Sequence, residues 1–212
     1  MSRLFLRSRS HAVVAAALLA ACGEPAPRTA ADSQAAHVAE VVAAGGVVDS
    51  ILPIAEQLRR FRDGMTAPDT MRHAAASREA LVRRWLQAVS ASDTVALNKL
   101  VLDRAEFAFL YYPTSALSQP PYEAPPQLLW GQILASSNEG LPKVLARFAG
   151  QSVALEQLTC PDSGAAEGDN RVYGNCAITV RAGAAAPFTG RLFGSIIERQ
   201  GRFKFLGYAN AL

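Results

Sequence analysis

From Arg171 to Arg181 the chain alternates, with Val172, Cys176, Ile178 and Val180 on one parity and Arg171, Tyr173, Asn175 and Thr179 on the other. A period of two fits a half-buried strand and does not fit a helix, so the last third of the chain must build a sheet. Gln151–Cys160 reads as the strand before it, and Pro161–Asn170 as a polar, Gly-bearing loop. With a turn centred near Gly168, positions 160 and 176 stand opposite each other, whereas a turn elsewhere puts them out of register. Gly190–Glu198 and Arg202–Tyr208 form a closing hairpin across Arg199-Gln200-Gly201, with Gly201 in the left-handed position of a three-residue loop. That loop pairs Ile197 with Phe203 and Glu198 with Arg202.

Upstream the period changes to that of helices. Ser50–Arg62 carries Ile51, Ile54, Leu58 and Phe61 on one side, with Pro53 in the first turn and Gly64 as a stop. Its basic end, Arg59, Arg60 and Arg62, complements the helix dipole. Ser77–Ala91 is a second helix, with Leu81, Trp85 and Val89 four apart, and Asp93 caps a third over Thr94–Leu102. Glu106–Tyr112, EFAFLYY, is apolar on both parities and suits a buried strand, a pattern that a short buried helix shares. Five prolines in Pro113–Pro126 predict an extended loop. Beyond it, Gln127–Ala135 and a segment starting near Asn138–Gly140 and ending at Gly150 read as two helices, because Pro142 belongs in a first turn.

The N-terminus has a different logic. Arg3, Arg7 and Arg9 precede the short apolar run Ala12–Cys22, AVVAAALLAAC. A basic start, an apolar stretch too short to span a bilayer and small residues before a cysteine describe an export signal. Leu19-Ala20-Ala21-Cys22 resembles the bacterial lipobox, which implies cleavage after Ala21 and a lipid on Cys22. An ordinary secretory site wants a small residue where Leu19 stands. Gly23 and Glu24 lack the aspartate that retains lipoproteins in the inner membrane, so the resemblance implies an outer-membrane anchor facing the periplasm. Residues 22–47 are Ala-rich with Pro25 and Pro27 and read as a flexible tether, with room for a short helix around His37–Ala44 and with His37 solvated. Domain limits of 1–21, 22–47 and 48–212 follow.

Loss of the signal also removes three arginines. The 21 basic and 18 acidic residues of the whole chain become 18 of each, and a neutral domain has no long-range field to draw in nucleic acid. With Cys22 assigned to the lipobox, Cys160 and Cys176 remain, and in an oxidising compartment they pair or stay as two structural thiols. A bridge closing that loop contributes roughly 3 kcal/mol. His73 has no partner at ligand spacing, so the sequence offers no metal site and no cofactor motif.

Helices, an apolar segment, more helices and then antiparallel strands describe an α+β fold with helices covering a curved sheet. Leu81–Leu102, LVRRWLQAVSASDTVALNKLVL, resembles the two opening helices of the nuclear-transport-factor-2-like (SnoaL-like) superfamily, and Ile196–Phe205, IIERQGRFKF, resembles its sheet hairpin. The likeness covers Ser77–Leu212 and implies a cone whose mouth holds an apolar ligand. The proline-rich segment, the cysteine pair and the Ser50–Arg62 helix depart from the pattern.

Superfamily membership does not choose a function. The leading expectation is a membrane-anchored, non-catalytic module that binds an apolar small molecule or an envelope protein. Tyr112, Tyr122, Trp130 and Tyr208 are the amphipathic rings for a pocket mouth or partner surface. A second copy of the chain is a further candidate partner. The alternative is an isomerase- or hydratase-type enzyme with an acid/base carboxylate in the cone, for which Glu106 is the candidate because it opens an aromatic run. Against that stands the ordinary reading of Glu106 as an element-terminus residue facing Arg104 or solvent.

Overall fold

The computed structural model describes residues 30–46, 52–161 and 163–212. The chain divides into two units, Met1–Ser50 and Ile51–Leu212. Residues 1–21, Cys22 and the first part of the 22–47 stretch lie outside the described residues. In the first unit the Ala-rich stretch forms α1 (Ala30–Ala43), longer than the short helix expected at His37–Ala44; His37 is exposed on it and Gly45, at φ 79°, follows its end. No described helix is long and apolar enough to cross a membrane.

The second unit is an α+β fold. It opens with α2 (Ile54–Phe61), which starts directly after Pro53. Arg59 and Arg60 both pair with Glu56, whose carboxyl they hold down at a pKa of about 2. In α3 (Arg78–Ser90) the Ser77 hydroxyl accepts from the Ala80 amide at 3.0 Å, and Leu81, Val82, Trp85, Leu86 and Val89 are buried. In α4 (Thr94–Leu100) the Asp93 carboxylate accepts from the Ala96 amide at 2.9 Å. The Asp93 cap stands where the sequence places it.

The next segment corrects a sequence expectation. Glu106–Tyr112 is helical, not extended: α5 (Arg104–Glu106) runs into a π-helical turn, Phe107–Tyr111, and then a 3-10 turn, Tyr112–Thr114. Asp103 and Glu106 form a reciprocal capping box that starts the helix. The loosened carbonyls of the π turn are taken from outside, Ala108 by Arg62 and Leu110 by Asn170. Apolar residues on both parities are thus explained by burial on all sides. The proline-rich segment is likewise more compact than an extended loop. It makes a second 3-10 turn at Ala116–Ser118, and the Tyr112 hydroxyl donates to the Ala124 carbonyl at 2.8 Å.

One helix, α6 (Pro126–Phe148), replaces the two expected, with Pro142 inside it. Proline removes one amide donor from the ladder, and the C-terminal tail packs on the same turn of the helix. Asn210 Nδ2 donates to the Gly140 carbonyl at 2.7 Å, and Gly140 lies so close to Tyr208 that a Cβ would collide with its carbonyl.

Among the described residues seven strands form two sheets. They are β1 (Val153–Thr159), β2 (Ala165–Glu167), β3 (Asn170–Tyr173), β4 (Ala177–Ala182), β5 (Phe188–Gly190), β6 (Ile196–Arg199) and β7 (Arg202–Phe205). The sheet orders are β1-β4-β5 and β2-β3-β6-β7. Thr159 pairs with Ala177, and Glu167 with Asn170 around Gly168, so 151–181 is one long hairpin turning at Gly168. Cys160 and Cys176 face each other in it and form a disulfide, S–S 2.07 Å. The expected single strand Arg171–Arg181 is nevertheless broken. Asn175, at φ 56°, ends the extended run, and the hairpin's base joins one sheet while its tip joins the other.

The closing hairpin also differs from expectation. Its turn has two residues, Gln200 and Gly201, both at positive φ, and it pairs Ile197 with Lys204 and Glu198 with Phe203. Such a turn matches the twist of the flanking strands. The four-stranded sheet lies between two apolar clusters: Trp85, Phe193, Ile196, Phe205 and Tyr208 belong to one, and Phe61, Phe107, Tyr111, Tyr112 and Ile197 to the other. Neighbours Ile196 and Ile197 point opposite ways, as the pleat demands.

Candidate functional site

The break between β3 and β4 opens a crevice of about 400 Å³. Four segments wall it: the Gly174–Asn175 corner, the irregular 191–195 run before β6, the tail after β7, and the α6 face at Ile133 and Ser136. Backbone bonds pin the rim. The Ala211 amide donates to the Arg191 carbonyl at 3.0 Å, Gly194 to Gly207 at 3.1 Å, and Leu206 to Ser195 at 2.8 Å. The Ser137 hydroxyl accepts from the Tyr208 amide at 2.9 Å, tying the tail to α6. Gly194 is required for this approach, since a Cβ there would sit 2.7 Å from the Gly207 carbonyl oxygen.

Into the crevice project Ile133 and Leu206 as apolar wall, Ser136 and Ser195 as hydroxyls, and Arg191 as the one charge among the lining residues described. Arg191 Nη1 donates to Asn175 Oδ1 at 2.9 Å. The left-handed backbone at Asn175 is one that asparagine tolerates better than most residues. Among the described residues no carboxylate comes within ion-pair distance of Arg191.

Glu106 stands elsewhere. It is fully buried beside an almost fully buried Lys204, with Nζ to Oε2 at 2.6 Å. The same oxygen accepts from the Asp103 amide at 3.0 Å, and Oε1 accepts from the Arg72 amide at 2.5 Å. It faces neither Arg104 nor solvent. Arg72 in turn bonds Asp103 at 2.6 Å, closing a network that ties α5 to β7. Both oxygens of this carboxylate are taken by donors of the chain itself.

The four aromatic residues do not converge. Tyr112 is buried in the second cluster, and Trp130 packs on Phe107 with ring centroids 5.1 Å apart. Tyr122 is 66% exposed on the proline-rich segment. Tyr208 is buried in the first cluster, its hydroxyl donating to the Leu97 carbonyl at 2.7 Å, and burial pushes its pKa up. Three of the rings therefore pack in the cores, and none appears among the residues lining the crevice.

A second polar constellation clasps the proline-rich segment to the hairpin tip. Asn170 Nδ2 donates to the Leu110 carbonyl at 2.8 Å and to Thr114 Oγ1 at 3.1 Å, and Arg199 bridges Asn170 and Asp169. The Ser115 hydroxyl donates to Tyr111 Oη at 3.2 Å. Glu167 joins them through the Ala116 amide; burial pushes its carboxyl pKa up, and its Oε2 is buried without a hydrogen-bond partner among the described residues. Sequence reading singled out neither Glu167 nor Arg191. Arg191 and Asn175 are sixteen positions apart on either side of β4 and β5, and no periodic signal joins them.

No protein-family model, curated protein or solved structure matches this chain.

Proposed function

We propose that the chain is an exported lipoprotein, anchored through a lipid on Cys22 at the periplasmic face of the outer membrane, whose Ile51–Leu212 unit is a non-catalytic binding module of the nuclear-transport-factor-2-like kind. The observation that carries the binding reading is the crevice at the β3–β4 corner. It is walled from four segments, held open by backbone hydrogen bonds and lined by a mixture of apolar and polar groups, as ligand sites are. Its volume lies near the lower end of the range of roughly 300–1,000 Å³ for small-molecule sites, which suits a small ligand or the end of a partner chain. The enzymatic alternative draws no support from Glu106, whose carboxylate oxygens are both engaged.

Two measurements test this reading. Metabolic labelling with palmitate gives a labelled chain that loses its label in Cys22→Ala; an unlabelled wild type overturns the anchor. For the crevice, the full chain is released from the cell envelope and weighed intact under native conditions. A bound mass is expected in the wild type and not in Ser136→Trp, whose indole fills the space from α6 while far-ultraviolet circular dichroism stays unchanged. Equal adducts in both chains, or none in either, overturn the binding module.

A further inference from the structure

Arg191 brings a positive charge into a crevice whose other described walls are hydroxyls, one amide and apolar groups. Its Nη1 is engaged by Asn175 Oδ1 at 2.9 Å, which fixes the plane of the guanidinium. The Nε–Nη2 edge meets no acceptor among the described residues. A carboxylate, like a phosphate, presents two oxygens that match that edge in a bidentate pair. One guanidinium balances one negative charge, so a monoanion fits and a phosphate dianion is left half-compensated.

We infer that the crevice binds a monocarboxylate with a short apolar chain, its oxygens on the Nε–Nη2 edge of Arg191 and its chain against Ile133 and Leu206. This rests on the binding reading above and adds the chemistry of the ligand. Magnitudes require both halves. An exposed ion pair alone contributes little, whereas every methylene removed from water adds to the affinity. The charge selects the headgroup and the wall supplies most of the affinity, in the millimolar to sub-millimolar range for a six-carbon ligand. Two sources share this chemistry: a free aliphatic acid and the C-terminal carboxylate of a peptide with an apolar last residue.

Asn175 offers a test that leaves the arginine in place. Asn175→Asp keeps the size of the side chain and its tolerance of left-handed backbone, and it places a competing carboxylate on the guanidinium. The full-length chain is titrated with hexanoate and with hexanamide, its neutral isostere, while the backbone amide signals of Gly174, Gly194 and Gly207 are followed. Hexanoate is expected to shift all three saturably and to bind up to about fivefold more tightly than the amide. In Arg191→Gln and in Asn175→Asp its affinity falls to that of hexanamide. An acetylated Ala-Leu dipeptide, with free or amidated C-terminus, separates the sources: tighter binding of the free dipeptide than of hexanoate assigns the site to a chain end, and the reverse to a free acid. Equal affinities for hexanoate and hexanamide, or an undiminished affinity in Arg191→Gln, overturn the carboxylate assignment and leave a binding crevice. No saturable shift with any compound overturns it as well, and the Ser136→Trp comparison then reports separately on whether the crevice binds at all.

Discussion

At residue scale the Glu106–Lys204 pair is the most consequential polar contact in the fold, and it belongs to the sheet and α5 rather than to a reaction. Lys204 sits on β7 opposite Ile197, facing the second apolar cluster, where an unpaired ammonium has no water to turn to. Breaking one side of a buried pair is far more damaging than replacing both. Glu106→Gln and Lys204→Met are each expected to cost about 3–5 kcal/mol, and the two together considerably less than the sum. Urea unfolding of the four chains measures the coupling, and strictly additive losses contradict it. Glu167 is the opposite case. Burial raises its folded pKa above the unfolded value of about 4.3. The native state therefore binds more protons in that window, and stability falls as pH rises from the unfolded pKa through the folded one. Glu167→Gln keeps an acceptor for the Ala116 amide, so it is expected to be more stable than wild type at neutral pH and to flatten this slope. Melting temperatures of both chains between pH 4 and pH 8 decide it; parallel curves refute the assignment.

At the scale of elements, agreement with the sequence tracks how local the deciding interaction is. The caps Ser77 and Asp93 bond amides within three residues, and their helices begin where the pattern predicts. The cysteines come opposite each other because the hairpin register depends on the turn at Gly168. Failures occur where a distant contact decides. Phe107–Tyr111 is helical because Arg62 and Asn170, 46 and 60 residues away, accommodate its carbonyls. Pro142 remains inside α6, where the tail at Tyr208–Asn210 packs on Gly140 from some seventy residues away. The crevice was illegible for the same reason, since its walls come from four segments and its corner at Asn175 interrupts an otherwise regular alternation. The closing turn yields a prediction at this scale. Gln200 holds a left-handed conformation in a two-residue turn where Asn-Gly is the preferred pair. Gln200→Asn is expected to stabilise the protein by about 0.5 kcal/mol. An unchanged or lower denaturation midpoint argues against that turn and returns the register to a three-residue loop.

At the scale of the whole Ile51–Leu212 unit, the four-stranded sheet separates two apolar clusters, and the long hairpin reaches both. Its base, β1 and β4, packs with Trp85 and Phe193, and its tip, β2 and β3, is clasped to Thr114 and Leu110 beside the other cluster. The Cys160–Cys176 bridge lies at the passage from one to the other, next to the Asn175 corner that opens the crevice. Removing it has a global and a local consequence. Globally, the unfolded chain regains the freedom of a loop of sixteen positions, about 3 kcal/mol in the chain-entropy view. Locally, base and tip lose the covalent tie between them, and the tip's edge strand is the shorter: β2 has three residues against seven in β1. In the full chain carrying Cys160→Ala and Cys176→Ala, hydrogen exchange should therefore accelerate most at Ala165–Glu167. The buried pair β6–β7 should change only by the global loss. Uniform acceleration across both sheets would mean that the bridge acts through the unfolded state alone. Faster exchange confined to the tip would mean that it joins two clusters which otherwise open separately.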